Sequence, residues 1–396
     1  MDVTNISSLS DLKILLINYE YPPCGGGAGN ATRYLARELR ELGHEIAVLT
    51  GGKSGEQKIE GVCVIQVGSA RRREDCSSLW EMASFVIQSI LWITTKKGKG
   101  WKVAIIFFGL PCGVFGPILR MIRGADYIIS LRGGDVPGFE PSLNGLHKLL
   151  SPLRRFIYKR SKAIVANSES LAALSAKSDP FLVSVIPNGV AENDFFPIDK
   201  PSPGHGSPLN IIMVNRFHKQ KNIPETIERL ARARHRGLRF RLTLIGDGPD
   251  KHNVEKAIQK NNLRDVVTLP GWVSRSALVG ELQRADCFLS LSSYEGMPNA
   301  MLEAMACGLP VIASKIPPHE ELINDDVEGF LVDLDSDRGL ENVLLRLSEN
   351  PRHARLVGAN ACEKVRRQFS WRASAKSYLA LMESSPGVHY SKELDR

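Results

Sequence analysis

Two cations, Arg216 and Lys221 in Asn-Arg-Phe-His-Lys-Gln-Lys-Asn, follow an apolar run that ends at Val214. Held at the carboxyl end of a strand, such cations can neutralise a diphosphate, both in the ground state and as a leaving group gains charge. A pair of solvated surface cations is the plainer alternative, and the residue types alone leave it open. Two carboxylates, Glu295 and Glu303, stand with seven residues between them in Ser-Tyr-Glu-Gly-Met-Pro-Asn-Ala-Met-Leu-Glu. Gly296, Met297, Pro298 and Asn299 lead into a helix whose start the sequence puts near Pro298, because proline suits the first helical position. Amides at such a start can hold phosphate or sugar oxygens. Carboxylates beside an anion site would repel the phosphates, so they suit hydroxyl groups, Glu295 those of a sugar and Glu303 those of a ribose. A carboxylate that merely charges the first turns of a helix is the alternative for Glu303.

Gly25-Gly26-Gly27-Ala28-Gly29 follows the first apolar run and opens a helical pattern. Glycines there let a backbone approach phosphate or sugar at a helix N-terminus. A dinucleotide-binding dehydrogenase would also place glycines here, but it wants Asp or Glu at the end of the second strand. Thr50, Gly51 and Gly52 stand there instead, which weighs against that class. Gly246-Asp247-Gly248-Pro249 reads as a plain turn. Asp333-Leu334-Asp335 has the letters of a metal-binding motif without other hard oxygen ligands nearby, and reads as a solvent-facing turn. No histidine pair has metal-ligand spacing, so no metal is expected.

The elements that must position these residues alternate strand and helix. Residues 13–18, 45–50, 62–67, 103–108, 127–131, 163–167 and 183–186 read as strands, mostly separated by helical periodicity. Continuous apolar strands between helices imply a parallel sheet covered on both faces. Pro187-Asn188-Gly189 signals a turn and residues 201–208 read as a linker. The rhythm then restarts with strands at 209–214, 240–245, 266–269, 287–291 and 311–313. The fold class is α/β, with two doubly wound, Rossmann-like parallel-sheet domains facing across an interdomain cleft: residues 1–190, completed by a C-terminal helix at 371–386, and residues 191–370. Ligands of such sheets bind at the carboxyl ends of the strands.

Taken together, Glu-(seven residues)-Glu, Arg216, Lys221 and the Gly-rich loop resemble the retaining glycosyltransferase family 4, of GT-B fold, also called group 1. Pro187-Asn188-Gly189-Val190 and residues 304–314 (Ala-Met-Ala-Cys-Gly-Leu-Pro-Val-Ile-Ala-Ser) extend the likeness. The resemblance implies that Arg216 and Lys221 bind a donor diphosphate, that Glu303 binds the ribose, and that Glu295 with the amides of residues 296–299 binds the transferred sugar. It further implies that Gly26 and Gly27 approach the phosphates and that Trp272 and Val273 flank the base. Anomeric configuration is retained in the family. A front-face mechanism is inferred for it, in which the departing phosphate helps to deprotonate the acceptor; Glu295, Arg216 and Lys221 are then the catalytic set, and no cofactor is required. Where many members have His-Gly-x-Asp, this chain has Arg132-Gly133-Gly134-Asp135. Arginine does not exchange a proton near neutrality, so Arg132 could pair with a phosphate or an anionic acceptor, and Asp135 could orient the acceptor. A strand-end turn closed by local hydrogen bonds is the competing account.

The donor is thus expected to be a UDP- or GDP-linked sugar and the acceptor a saccharide, lipid-linked, in the synthesis of a surface polysaccharide. The alternatives are an epimerase or hydrolase of nucleotide-sugars on the same fold, or a non-catalytic nucleotide-sugar-binding scaffold. Residues 1–10 lack a basic start followed by an apolar run, and no bilayer-spanning stretch is apparent, so a cytoplasmic location is expected. Seven scattered cysteines, without a CxxC pair, fit a reduced compartment. The net charge of +8 is uneven: residues 82–125 and 146–163 carry six basic residues each and no acid. These clusters are either solvated helix faces or a basic, partly apolar surface resting on anionic membrane lipid at the inner face. Nucleic acid is not expected, since no recognition motif accompanies the charge.

Overall fold

The computed structural model describes residues 12–22, 26–68, 79–95, 98–200, 207–336 and 338–384. Cys24, Gly25, Cys76, Lys96, Lys97, residues 1–11 and most of the linker read at 201–208 lie outside them. The chain divides into two compact units, Met1–Pro187 with Trp371–Arg396, and Asn188–Ser370.

The first unit runs β1 (Lys13–Ile17), α1 (Gly27–Glu41), β2 (Glu45–Gly52), β3 (Gly55–Ile59), β4 (Val62–Gly68), α2 (Leu79–Thr94), β5 (Val103–Phe107), α3 (Phe115–Arg123) and β6 (Asp126–Ser130). It continues through α4 (Asn144–Leu149), α5 (Ser151–Arg160), β7 (Ala163–Ala166), α6 (Glu169–Ala176) and β8 (Ser184–Val185). The sheet order is β3-β4-β2-β1-β5-β6-β7-β8. Apolar runs such as Lys-Ile-Leu-Leu-Ile in β1 become strands with both faces covered, and Ile14 to Ile17 are fully buried. Alternate residues divide between the faces. Leu15 and Ile17 join one core with Phe85 of α2, Phe115 of α3 and Ile157 of α5. Not every strand was legible: β3, Gly-Glu-Gln-Lys-Ile, is polar and pairs antiparallel with β4 at the sheet edge. Nothing apolar marks it, because only one neighbour holds it.

The second unit runs β9 (Leu209–Val214), α7 (Ile223–His235), β10 (Phe240–Ile245), α8 (Lys251–Lys260), β11 (Val267–Gly271), α9 (Arg275–Arg284), β12 (Cys287–Ser290) and α10 (Asn299–Ala306). Next come β13 (Val311–Ser314), α11 (Pro317–Glu320), β14 (Gly329–Val332), α12 (Gly339–Glu349) and α13 (Pro351–Gln368). After it the chain re-enters the first unit as α14 (Trp371–Glu383), which packs on α1 and stacks Trp371 on Tyr34 at 5.6 Å. The six strands are parallel in the order β11-β10-β9-β12-β13-β14. The order reverses between β9 and β12, and the crevice beyond the carboxyl ends of such a pair is where doubly wound sheets place ligands.

Candidate active site

The loops leaving β9 and β12 are stitched together at that reversal. Asn222 ends a short 3₁₀ turn over Lys219–Lys221 with φ +48°. Its side-chain amide donates to the Leu291 carbonyl at 2.9 Å and to Ser293 Oγ at 2.8 Å. The Ser293 amide in turn donates to the Gln220 carbonyl at 2.8 Å. These bonds bring Lys221 onto Glu295, where the ammonium donates to Oε1, and Ser292 Oγ donates to the same oxygen at 2.7 Å. Only 16% of the Lys221 side chain and 9% of that of Glu295 are accessible. Burial pushes the Glu295 carboxyl up, but the Lys221 charge and the two hydrogen bonds outweigh it and leave the group below the usual range.

Behind Glu295 a second layer was not read from the sequence. Ser314, at the end of β13, donates from Oγ to the Ser292 carbonyl at 2.5 Å. His319 is fully buried, and its Nδ1 lies 2.8 Å from the Ser314 carbonyl, so the ring donates there. Burial lowers the basicity of His319, and the Glu295 charge partly restores it. His319 Nε2, Asn215 Nδ2, His218 Nδ1 and Arg216 Nε are buried atoms without a hydrogen-bond partner among the described residues. Three of the four belong to the segment just after β9. Asn215 Nδ2 and Arg216 Nε are donors, and donors left unmet in a buried place are costly, so these two are available to a ligand that reaches the segment.

Gly246 and Gly248 close β10 against this segment. Phe217 donates to the Asp247 carbonyl at 2.8 Å, and Asp250 donates to the Phe217 carbonyl at 3.0 Å. A Cβ at Gly246, whose φ is +132°, would fall 1.8 Å from the Asn215 carbonyl oxygen. The turn read as plain therefore sets the backbone that carries Arg216.

Helix α10 begins at Asn299, and Pro298 is its extended N-cap rather than its first helical residue. Met301, Leu302 and Met305 are fully buried and anchor α10 to the sheet through the same core as Ile212 and Phe288. This leaves Glu303 on the helix side turned from that core, with 13% of its side chain accessible. Its Oε1 lies 3.8 Å from Arg275 Nη1, while Arg275 Nε donates to Asp194 at 3.1 Å and the guanidinium lies 4.5 Å over the Phe195 ring. Burial pushes the Glu303 carboxyl up to about 7, with Arg275 opposing and Asp194 adding. The Asn299 side chain accepts from Asn188 at 2.7 Å, and the Asn188 amide points at Met297 Sδ at 3.1 Å. Gly296 is buried, Val273 and Met297 are each partly buried against the edge of the core, and Trp272 is 55% exposed. Arg275, Asp194, Asn215, Ser292 and His319 escaped the sequence reading: Arg275 meets Asp194 and Ser314 reaches Ser292 from distant parts of the chain, while the Ser292–Glu295 and His319–Ser314 bonds are local but carry no motif.

The remaining candidates lie in the first unit. Gly26 is the N-cap of α1, with its amide donating to Glu20 at 3.2 Å, and Gly27 opens the helix. Asp135 Oδ2 accepts from the Gly109 amide at 2.6 Å, and Oδ1 accepts from the Arg132 and Gly133 amides at 2.9 and 3.0 Å. Of the two accounts of this segment, that geometry favours the strand-end turn closed by local bonds. Burial nonetheless raises the Asp135 carboxyl. The Arg132 guanidinium lies 4.4 Å over the Phe107 ring, and burial lowers its basicity. Asp335 donates its amide to Asp333 at 2.9 Å in an exposed turn, as expected of that motif.

Against known proteins, the family model described as glycosyl transferases group 1 matches residues 196–364, and that described as glycosyltransferase family 4 matches residues 25–193. Each match takes in a little under half of the chain and the two together most of it, so both parts of the chain resemble glycosyltransferases of these families. A putative colanic acid biosynthesis glycosyltransferase, WcaL, of Escherichia coli is 30% identical over 51% of this chain and 51% of its own length. The amylovoran biosynthesis glycosyltransferase AmsK of Erwinia amylovora is 32% identical over 44% of this chain and 45% of its own. The chain thus spans about half the length of these curated relatives. Among solved structures, Anabaena Alr3699/HepE in complex with UDP-glucose shares the fold, with a TM-score of 0.74, 18% identity, and coverage of 94% of this chain and 100% of that one. No described helix is long and apolar enough to cross a membrane.

Proposed function

We propose that this chain transfers a sugar from a nucleotide-diphosphate donor to a saccharide, and that the second unit holds the donor. One observation carries the reading: at the β9/β12 reversal a buried Lys221–Glu295 pair sits in the same loop cluster as unmet donor atoms of Asn215 and Arg216. A diphosphate arriving there would draw Lys221 and Arg216 to its oxygens. Glu295 would then be free to accept from sugar hydroxyls, and Glu303 from the ribose, beside the loop of residues 296–299. Arg216 and Lys221 would also stabilise the departing diphosphate as it gains charge, which suits a front-face reaction with retention and no enzyme nucleophile.

The relatives bear on the product. WcaL and AmsK are named for the biosynthesis of colanic acid and amylovoran, which supports a role in polysaccharide synthesis; the acceptor proposed here is a lipid-linked saccharide met on the cytoplasmic side of a membrane. HepE was solved with UDP-glucose, so uridine donors are the first to try. Thermal-shift screening against UDP- and GDP-linked sugars tests the reading, because a ligand bound only by the folded state raises the melting temperature. At least one donor is expected to do so, and Lys221→Ala is expected to abolish the shift. A panel without effect, or unchanged turnover in Lys221→Ala, would refute the donor site. Transfer is also expected to continue in EDTA; loss with rescue by Mg²⁺ or Mn²⁺ would contradict the role given to the two cations.

A further inference from the structure

Helices α2, α3 and α5 form one layer over a face of the first unit's sheet, their inner residues sharing one core. Arg123 of α3 donates to the Ile93 carbonyl of α2 at 2.6 Å, and Arg120 donates to the Arg160 carbonyl of α5 at 2.7 Å. The outer side of this layer, with α4 alongside, is unusually apolar. Of the fifteen large apolar side chains exposed among the described residues, three lie on α2, two on α3 and four on α4 and α5. Trp80 and Met121 are each 81% exposed, Leu149 75%, Ile87 57%, Leu91 56% and Phe156 44%. Single exposed apolar residues need no explanation, but a cluster of nine on adjoining helices does.

The same layer is basic. Lys148, Lys159, Arg160 and Arg120 are exposed on it, and the Arg160 guanidinium lies 3.8 Å over the Phe156 ring. Residues 82–125 and 146–163 contain no acid. Among the carboxylates of these elements and their neighbours, Glu81 of α2 is buried, Asp179 is buried against Arg154 and Arg155 at 2.6 and 2.9 Å, and Asp126 lies 3.8 Å from Lys162. A second copy of this face would oppose cation with cation. Nucleic acid would answer the charge and leave Trp80, Met121 and Leu149 in water. A surface with phosphates outermost and hydrocarbon just beneath answers both features.

We propose that the outer face of the α2–α3–α5 layer docks on an anionic lipid bilayer, its apolar side chains entering the headgroup–acyl boundary while the lysines and arginines meet lipid phosphates. The proposal deepens the reading of a lipid-linked acceptor and rests on that part of it, since docking here would bring the first unit to the surface in which such an acceptor is anchored.

Co-sedimentation of the full chain with vesicles provides the test. Binding to phosphatidylglycerol–phosphatidylcholine vesicles is expected to be strong and to weaken with salt, whereas pure phosphatidylcholine vesicles should bind weakly. Met121→Ser with Leu149→Ser, and separately Lys148→Glu with Lys159→Glu, are each expected to weaken binding at least about tenfold. All four positions are exposed, so neither pair should disturb folding, and the thermal shift by a nucleotide-sugar should be unchanged. Lys376→Glu on α14, which packs with α1 instead, should have little effect on vesicle binding. Indifference to anionic vesicles, equal losses in the Lys376 variant, or a dimer abolished by Met121→Ser with Leu149→Ser would overturn the proposal. A donor shift without vesicle binding defeats this proposal alone; vesicle binding without a donor shift upholds it and defeats the donor reading alone.

Discussion

Lys221 and Glu295, which the sequence reading places at two different parts of a ligand, hold each other as a buried ion pair. The ammonium that would meet a diphosphate is parked on the carboxylate that would meet a sugar. The ammonium outweighs the burial of the carboxylate, which stays ionised in a nearly dry site. If a donor binds there as proposed, binding becomes an exchange of partners, and its net gain is smaller than a count of contacts suggests.

This pairing separates stability from activity. Lys221→Ala leaves Glu295 buried without its cation, and the cost is expected to be about 2–4 kcal/mol. Adding Glu295→Gln should recover much of that stability while transfer remains lost. Urea unfolding and transfer assays on both variants check this; a double variant no more stable than Lys221→Ala would mean that the pair does not matter to the fold.

The Glu303 carboxyl, pushed up to about 7, predicts pH-dependent donor binding. Accepting two ribose hydroxyls requires the ionised form, so affinity should rise with pH through about 7. Below that it should fall by up to about tenfold per unit. In the free chain the sign is opposite: the raised folded value favours the protonated form, so this group's contribution to stability fades as pH climbs towards 7. Calorimetric titration with a donor across about three pH units centred on the expected step near 7 checks the first effect, and Glu303→Gln should flatten the curve.

His319 is buried neutral, with its basicity lowered, so the fold it belongs to is expected to weaken as pH drops below the ordinary imidazole range of about 6.5. His319→Asn can keep an amide donor towards the Ser314 carbonyl while removing the titration. Melting temperature against pH should therefore fall less steeply on the acid side in this variant than in the parent. Identical slopes would exclude His319 as a contributor.

Gly246→Ala should cost roughly 2–4 kcal/mol, because its backbone lies at φ +132° and a Cβ would strike the Asn215 carbonyl at 1.8 Å. Donor affinity should fall with it, since the displaced strand end carries Arg216. A variant that is destabilised but binds donor normally would separate the turn from the site.

The amino-acid sequence determined by itself whatever depends on neighbours along the chain. Buried strands such as β1 and β9, the helices between them, the restart after residue 208, and the loop that carries Glu295 towards α10 all show in local pattern. The periodicity of the core leaves few other folds for them. Only tertiary structure decided which residues share a site. Asn222 reaching Leu291 and Ser293, Arg275 bridging Asp194 to Glu303, and Ser314 backing Ser292 join positions that no spacing relates. The edge strand β3 was equally invisible, since its polar residues acquire meaning only from the one strand beside it. Charge and burial at a site are properties of surroundings assembled from distant segments. The carboxyl of Glu303 is drawn towards neutrality by burial, with the Asp194 charge adding, and its neighbours in the chain announce neither.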